Sequence, residues 1–422
     1  MNSSSRARTV ARVILSVAPL LLGLPLLSGC DDGYSEDLRY PLRKDPLLDT
    51  KGLAEAKHPD QPGELPVMTY ADLEDSPLDL YKLPKLNQAF DPDKIKGDQR
   101  KQLDTGLNKL FGTPAQPKVA VPDDKEGVDA KVIQALKLDE ATLADGSRLF
   151  RTHCLHCHGL TGDGRGPTSF WLNPHPRDYR KGVFKFVSTS RPQGSSQAAR
   201  REDLLRTLRV GLNGSAMPAF NILTDHEQEA IVSYVIHLSL RGEVELDAMT
   251  TILKGGVETT LDKFLGDGLK LFAGEWVKAQ SEIITPDPYP YDENNPEQLR
   301  ASIERGYKFF MDEANGCIKC HPGFGRYAKF RWDDWGTMVK PIDLTMGIYR
   351  GGRRPIDLYW RIHGGINGSG MAGFKDNLKA SDDKKTHLLW DVVNFIQILP
   401  YPQMRQKYKI PEPPIPSDFL QS

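Results

Sequence analysis

Two short stretches hold most of the chemistry this sequence could perform. Between His153 and Gly159 the chain reads HCLHCHG, and between Gly316 and Gly323 it reads GCIKCHPG, so each stretch contains Cys-x-x-Cys-His. Thiols and imidazoles this close suit three kinds of site. One is a zinc knuckle and another is a dithiol redox pair. The third is a haem joined by thioethers to the two cysteines, with the adjacent histidine on its iron.

Spacing and context separate these readings. A zinc ribbon sets its paired Cys-x-x-Cys units about 15–20 residues apart, whereas these two lie in distant parts of the chain. A thioredoxin-like dithiol expects a βαβ setting, and no strand pattern surrounds either motif. A disulfide across a two-residue loop has strained geometry. Covalent haem is what remains, with Cys154, Cys157 and His158 serving one group and Cys317, Cys320 and His321 a second.

The surroundings of the motifs repeat as well. PRDYRKGVFK from Pro176 aligns with PIDLTMGIYR from Pro341, and DLLRTLRVGLNGSAMPAF from Asp203 aligns with DLYWRIHGGINGSGMAGF from Asp357. The second pair brings Met217 and Met371 into one column. Their Gly-rich, polar flanks are unlike those of a core methionine, so both are candidate sixth ligands to iron. Met346 is the rival in the second copy, but it aligns with Lys181. His175 and His363 are the alternatives for a bis-histidine site. Arg177, Tyr179, Trp171, Trp332 and Trp335 fall between proximal and distal motifs, where they could meet carboxylates or ring edges of the bound group.

Helices must hold these loops. Leu143, Gly146, Leu149 and Phe150 share one face before the first motif, as Ile303, Gly306, Phe309 and Phe310 do before the second. Downstream, Thr224 and Glu227 form a capping-box pattern ahead of one apolar periodic segment, and a similar segment ends at Pro400. An opening and a closing helix crossing over each motif is the expected arrangement, the glycine allowing close approach.

The remaining chain is less periodic. Residues 30–134 read as an extended arm with a short helix at QRKQLDTGLNKLF, residues 246–295 as a linker with one amphipathic helix and a Pro-rich end, and residues 403–422 as a Pro-rich tail. Residues 1–29 place Arg6, Arg8 and Arg12 before a short apolar run ending in LLSGC, the pattern of an export signal. The formal net charge of -1 argues against nucleic acid as a partner. No nucleophile triad, carboxylate pair or phosphate loop is present in the sequence pattern.

With these motifs the sequence resembles the bacterial class I dihaem cytochromes c, over residues 135–245 and 296–402. The resemblance implies an all-α fold of two tandem class I cytochrome c domains carrying two covalently attached haem c groups. It also implies that Pro167, in CHGLTGDGRGP, offers its carbonyl to His158; the second copy departs here, which leaves the partner of His321 open. LLSGC is similar to a bacterial lipobox and implies a lipid on Cys30, with Asp31 and Asp32 favouring the inner membrane. The expected function is that of a membrane-anchored, periplasmic-side electron-transfer protein, not itself an enzyme. Its donor would be a quinol-oxidising complex or dehydrogenase, its acceptor a terminal oxidase or soluble cytochrome. A dihaem peroxidase and a haem-based redox or gas sensor are the alternatives, and both require an open distal position.

Overall fold

The structure is a computed structural model that describes residues 34–45, 91–121, 127–189, 198–257, 259–292, 294–329, 331–335 and 337–415. Cys30, the export signal and much of the arm lie outside the described residues. The described chain is helical. In order come α1 (Gly97–Phe111), α2 (Ala130–Leu136), α3 (Glu140–His153), α4 (Leu155–His158), α5 (Arg201–Val210), α6 (Asp225–Lys254), α7 (Leu261–Ala279), α8 (Pro296–Phe310), α9 (Pro355–Gly364), α10 (Leu388–Ile398) and α11 (Pro402–Lys407). A two-residue antiparallel ladder, β1 (Arg331–Trp332) with β2 (Met338–Val339), is the only named sheet among the described residues. No described helix is long and apolar enough to cross a membrane.

Caps fix where the main helices begin. The Asp139 carboxylate accepts from Thr142 N at the start of α3, and Thr224 and Glu227 close a reciprocal capping box on α6. Asn295 caps α8 with Pro296 in the first turn, where a missing N–H costs nothing.

Two apolar clusters form around crossed helix pairs. In the first, α3 crosses α6, with Leu143, Phe150, Ile231 and Tyr234 fully buried. In the second, α8 crosses α10, with Ile303, Phe310, Val393 and Phe395 buried. Both crossings pivot on glycine. A Cβ on Gly146 would stand 2.2 Å from Ala230 O, and one on Gly306 would stand 2.1 Å from Asp391 O. Only glycine admits backbones this close.

Segments outside the two repeats are packed as well. α6 runs on to Lys254, past the expected boundary at residue 245, because Ala248 and Met249 are buried in the first cluster. Leu265, Leu269 and Trp276 of α7 join that cluster, as do Leu103, Leu107 and Phe111 of α1. Tyr291, in the Pro-rich stretch, is buried in the second cluster. Residues 34–45 lie against the first, with Tyr40 fully buried.

Candidate haem site

Each Cys-x-x-Cys-His motif is a tight turn, directly at the end of α3 in the first copy and separated by six residues from the end of α8 in the second. Cys154 ends α3, and its carbonyl accepts from Cys157 N at 3.1 Å and His158 N at 2.9 Å. The second motif repeats these bonds: Cys317 O accepts from Cys320 N at 3.1 Å and His321 N at 2.9 Å. The turn brings the two thiols and the imidazole to one side, so the sequence order becomes a cluster.

The histidine partners differ from expectation at Pro167. His158 Nδ1 bonds the carbonyl oxygen of Arg177 at 3.1 Å, in place of that of Pro167. The glycine-rich loop explains the difference, because it folds back on the motif: Gly164 N donates to His158 O, Gly166 N to Cys157 O and Thr168 N to His156 O. Pro167 is thereby held beside His156. In the second copy His321 Nδ1 faces Ile342 O at 3.3 Å. Arg177 and Ile342 occupy the same position of the P-x-D repeat, so one column supplies both acceptors.

The methionine loops are duplicates in detail. Leu212 N donates to Met217 O at 3.1 Å, as Ile366 N does to Met371 O at 3.0 Å. Ser215 Oγ donates to Leu212 O and Ser369 Oγ to Ile366 O, each at 2.7 Å. Gly211 and Gly365 sit at φ of 68° and 78°, with the carbonyls of Met217 and Met371 where a Cβ would be. Phe220 N and Phe374 N then tie each loop to the helix before it, through Leu208 O and Ile362 O. The G-[LI]-N-G-S-x-M pattern is therefore a hydrogen-bonded loop that fixes the methionine.

One cavity of about 750 Å³ is lined by both motifs and both methionines. Met346 is 64% exposed and does not line it, and neither does His363. His175 lines it and bonds the Pro176 carbonyl through Nδ1. Tyr179 stacks on the His158 ring at 4.7 Å and backs it against Phe184. Trp171 is 71% exposed, while the Arg177 guanidinium lies 3.6 Å over the Trp335 ring. The side chain of Trp332 is outside the described residues.

The donor chemistry fits haem c. Burial lowers the His158 pKa to about 4, which keeps the imidazole neutral, and with Nδ1 committed Nε2 is the remaining ligand atom. Burial raises Cys154 and Cys317 to about 12. An apolar setting that disfavours thiolate suits a neutral thioether. All four motif cysteines are free, and among the described residues no group of three or more His, Cys, Asp or Glu could hold a metal ion. The zinc reading thus lacks a ligand set. Arg177, Lys185 and Arg350 also line the cavity, a surface suited to carboxylates on the bound group.

A family comparison bears on the first site. The Cytochrome c family profile matches residues 143–239, so this stretch is a cytochrome c domain. A chain of the Kuenenia stuttgartiensis reducing HAO-like protein complex aligns at 23% identity over 60% of this chain and 95% of that one, with a TM-score of 0.42. No curated protein matches the chain.

Proposed function

We propose that this chain is a dihaem electron-transfer cytochrome in which residues 135–245 and 296–402 are tandem cytochrome c domains. In this reading a lipid on Cys30 anchors it on the periplasmic side of the inner membrane. The single cavity lined by both Cys-x-x-Cys-His turns and both methionine loops carries the reading. Haem c, when bound, supplies a one-electron iron couple whose potential is set by its axial ligands and burial.

The chain's own residues do the rest. Cys154 and Cys157, and Cys317 and Cys320, fix the position of each group. His158 and His321 are oriented by the Arg177 and Ile342 carbonyls. Met217 and Met371, held by their serine and glycine contacts, would each offer a thioether to the iron, which is what separates this reading from a peroxidase or a gas sensor. Both motifs line one cavity, so two groups held there would lie close enough to exchange electrons. Donor and acceptor are redox proteins of a respiratory chain, a quinol-oxidising complex or dehydrogenase on one side and a terminal oxidase or soluble cytochrome on the other.

Pyridine haemochrome assay of the intact protein should give two c-type haems per chain, and the oxidised protein should show the near-infrared sulfur-to-iron band at two-site intensity. Met217→Ala and Met371→Ala should each remove half of that band. A single haem, or turnover of hydrogen peroxide by the parent protein well above free haem, would overturn the assignment.

A further inference from the structure

The two sites share a frame but not its support. At the first, the segment presenting the Arg177 carbonyl is locked from outside by residues 34–45, which the repeat does not contain. Asp178 accepts from Arg180 N and Nε, both at 2.9 Å, which closes the turn immediately after Arg177. Arg180 then reaches to Asp45 with a two-pronged fork, Nη1 to Oδ1 at 3.0 Å and Nη2 to Oδ2 at 3.1 Å. Asp45 also pairs with Arg43 at 2.8 Å and stands 3.8 Å from Arg165. This ionic cluster is buried: the Arg43, Asp45 and Arg180 side chains are 2%, 11% and 5% exposed.

The strap is itself fastened down. Arg43 N donates to Glu245 Oε1 at 2.6 Å, and the Tyr40 and Tyr234 hydroxyls bond at 2.8 Å. On the other side of Arg180 there is no slack, since a Cβ on Gly242 of α6 would lie 2.3 Å from Arg180 Cα. At the second site Asp343 closes the same turn on Thr345, through N at 2.8 Å and Oγ1 at 2.6 Å, and among the described residues the threonine makes no equivalent of the Arg180 fork. The histidine-to-carbonyl distance is 3.1 Å at the first site and 3.3 Å at the second.

We propose that Asp45 and Arg180 are positioning residues for His158: the strap holds the Arg177 carbonyl on the Nδ1 proton and thereby lowers the potential of the first site relative to an unstrapped one. The proposal rests on His158 as the proximal ligand. A firm Nδ1–H···O=C bond makes the imidazole more electron-rich, which favours the oxidised iron, so loosening it raises the potential.

The test separates geometry from charge. Arg180→Lys keeps the positive charge and removes the fork, which a point-charge ammonium cannot reproduce. Potentiometric titration of the full-length, haem-loaded variant should show one component moved upward and the other unmoved. The first-site component is assigned beforehand as the one that Met217→His displaces. The His158 Nδ1 proton, followed by NMR, should exchange several-fold faster than in the parent. Asp45→Glu, which also keeps its charge, should act in the same direction and serves if Arg180→Lys does not mature. Both components at parental values in a variant that carries two haems would overturn the proposal, as would an equal shift of both. If the parent lacks two haems or the sulfur-to-iron band, it is the ligand reading that has failed.

Discussion

Replacing Gly306 with alanine should destabilise the second half of the protein, although helix propensity alone says the reverse. In an open helix interior Gly→Ala is worth about 1 kcal/mol of stability. At Gly306 the added carbon would meet Asp391 O at 2.1 Å, Asp391 C at 2.6 Å and Phe395 Cβ at 2.9 Å. Ordinary contact begins near 3.4 Å, so α10 would have to retreat by roughly 1.3 Å from α8. The obstructing atoms are backbone and cannot swing aside. Asp391 is also tied to α8, accepting from Ser302 Oγ at 2.7 Å and Arg305 Nε at 2.8 Å, and it bonds the Tyr291 hydroxyl, so retreat strains a buried network. Overpacking costs about 1–3 kcal/mol, and a backbone clash belongs at the upper end, leaving a net loss of about 1–2 kcal/mol after the propensity gain. Gly274→Ala in α7 is the control, since nothing lies within 4 Å of its Cβ, and it should gain about 0.5–1 kcal/mol. Guanidinium unfolding of the haem-loaded protein, followed by Soret absorbance and far-ultraviolet dichroism, gives both values. A Gly306→Ala midpoint at or above the parent, or a fall of equal size in Gly274→Ala, would refute the close-crossing argument.

The strap should be acid-labile. Burial works against the Asp45 carboxylate, yet Arg43, Arg180 and Arg165 hold its pKa well below the usual range, so its contribution is complete above an unfolded pKa of about 3.9 and is lost as pH falls toward the folded value. Pulsed hydrogen exchange should find residues 34–45 opening as pH drops below about 4 while α3 and α6 stay protected; Asp45→Asn should flatten that pH dependence, and a strap equally protected at low pH would count against it. Across the seam, the buried Arg361 guanidinium donates to the Lys185 and Val187 carbonyls of the first half. Arg361→Met leaves those carbonyls unpaired, at about 1–3 kcal/mol, and should hasten proteolysis between the halves; an unchanged cleavage rate would rule out a structural role for the contact.

What the sequence made legible was local. The Cys-x-x-Cys-His turns, the capping box at Thr224 and the methionine loops each lie within one stretch whose residue types dictate its hydrogen bonds. The Arg177 carbonyl was missed because a family likeness pointed to Pro167, while the better signal lay in the repeat: Pro176 and Pro341 head equivalent segments, and the residue after each supplies the acceptor. The strap could not be read from periodicity. Tyr40 meets Tyr234 and Asp45 meets Arg180 across long sequence separations, and neither segment shows an amphipathic pattern that announces the contact. The reach of α6 past residue 245 was hidden for a similar reason, since α7, from outside the repeat, packs on α6 and Ala248 and Met249 are buried in the same cluster.

The contrast between what is duplicated and what is not bears on how two similar sites can differ. Duplicated are the motif turns, the glycine crossings, the methionine loops and the aspartate that closes the turn after each acceptor carbonyl; these are what any site of this kind needs. Present once are the Asp45–Arg180 fork and the stacking of Tyr179 on His158, with Leu344 standing at the equivalent position of the second copy. Both of these bear on the proximal side of the first site. With the same ligand types, two sites still differ through hydrogen bonding and burial, and on the proposal above the support of one histidine is one such lever. The strap comes from outside the repeat, so on that proposal it can tune the first site while the duplicated frame stays intact.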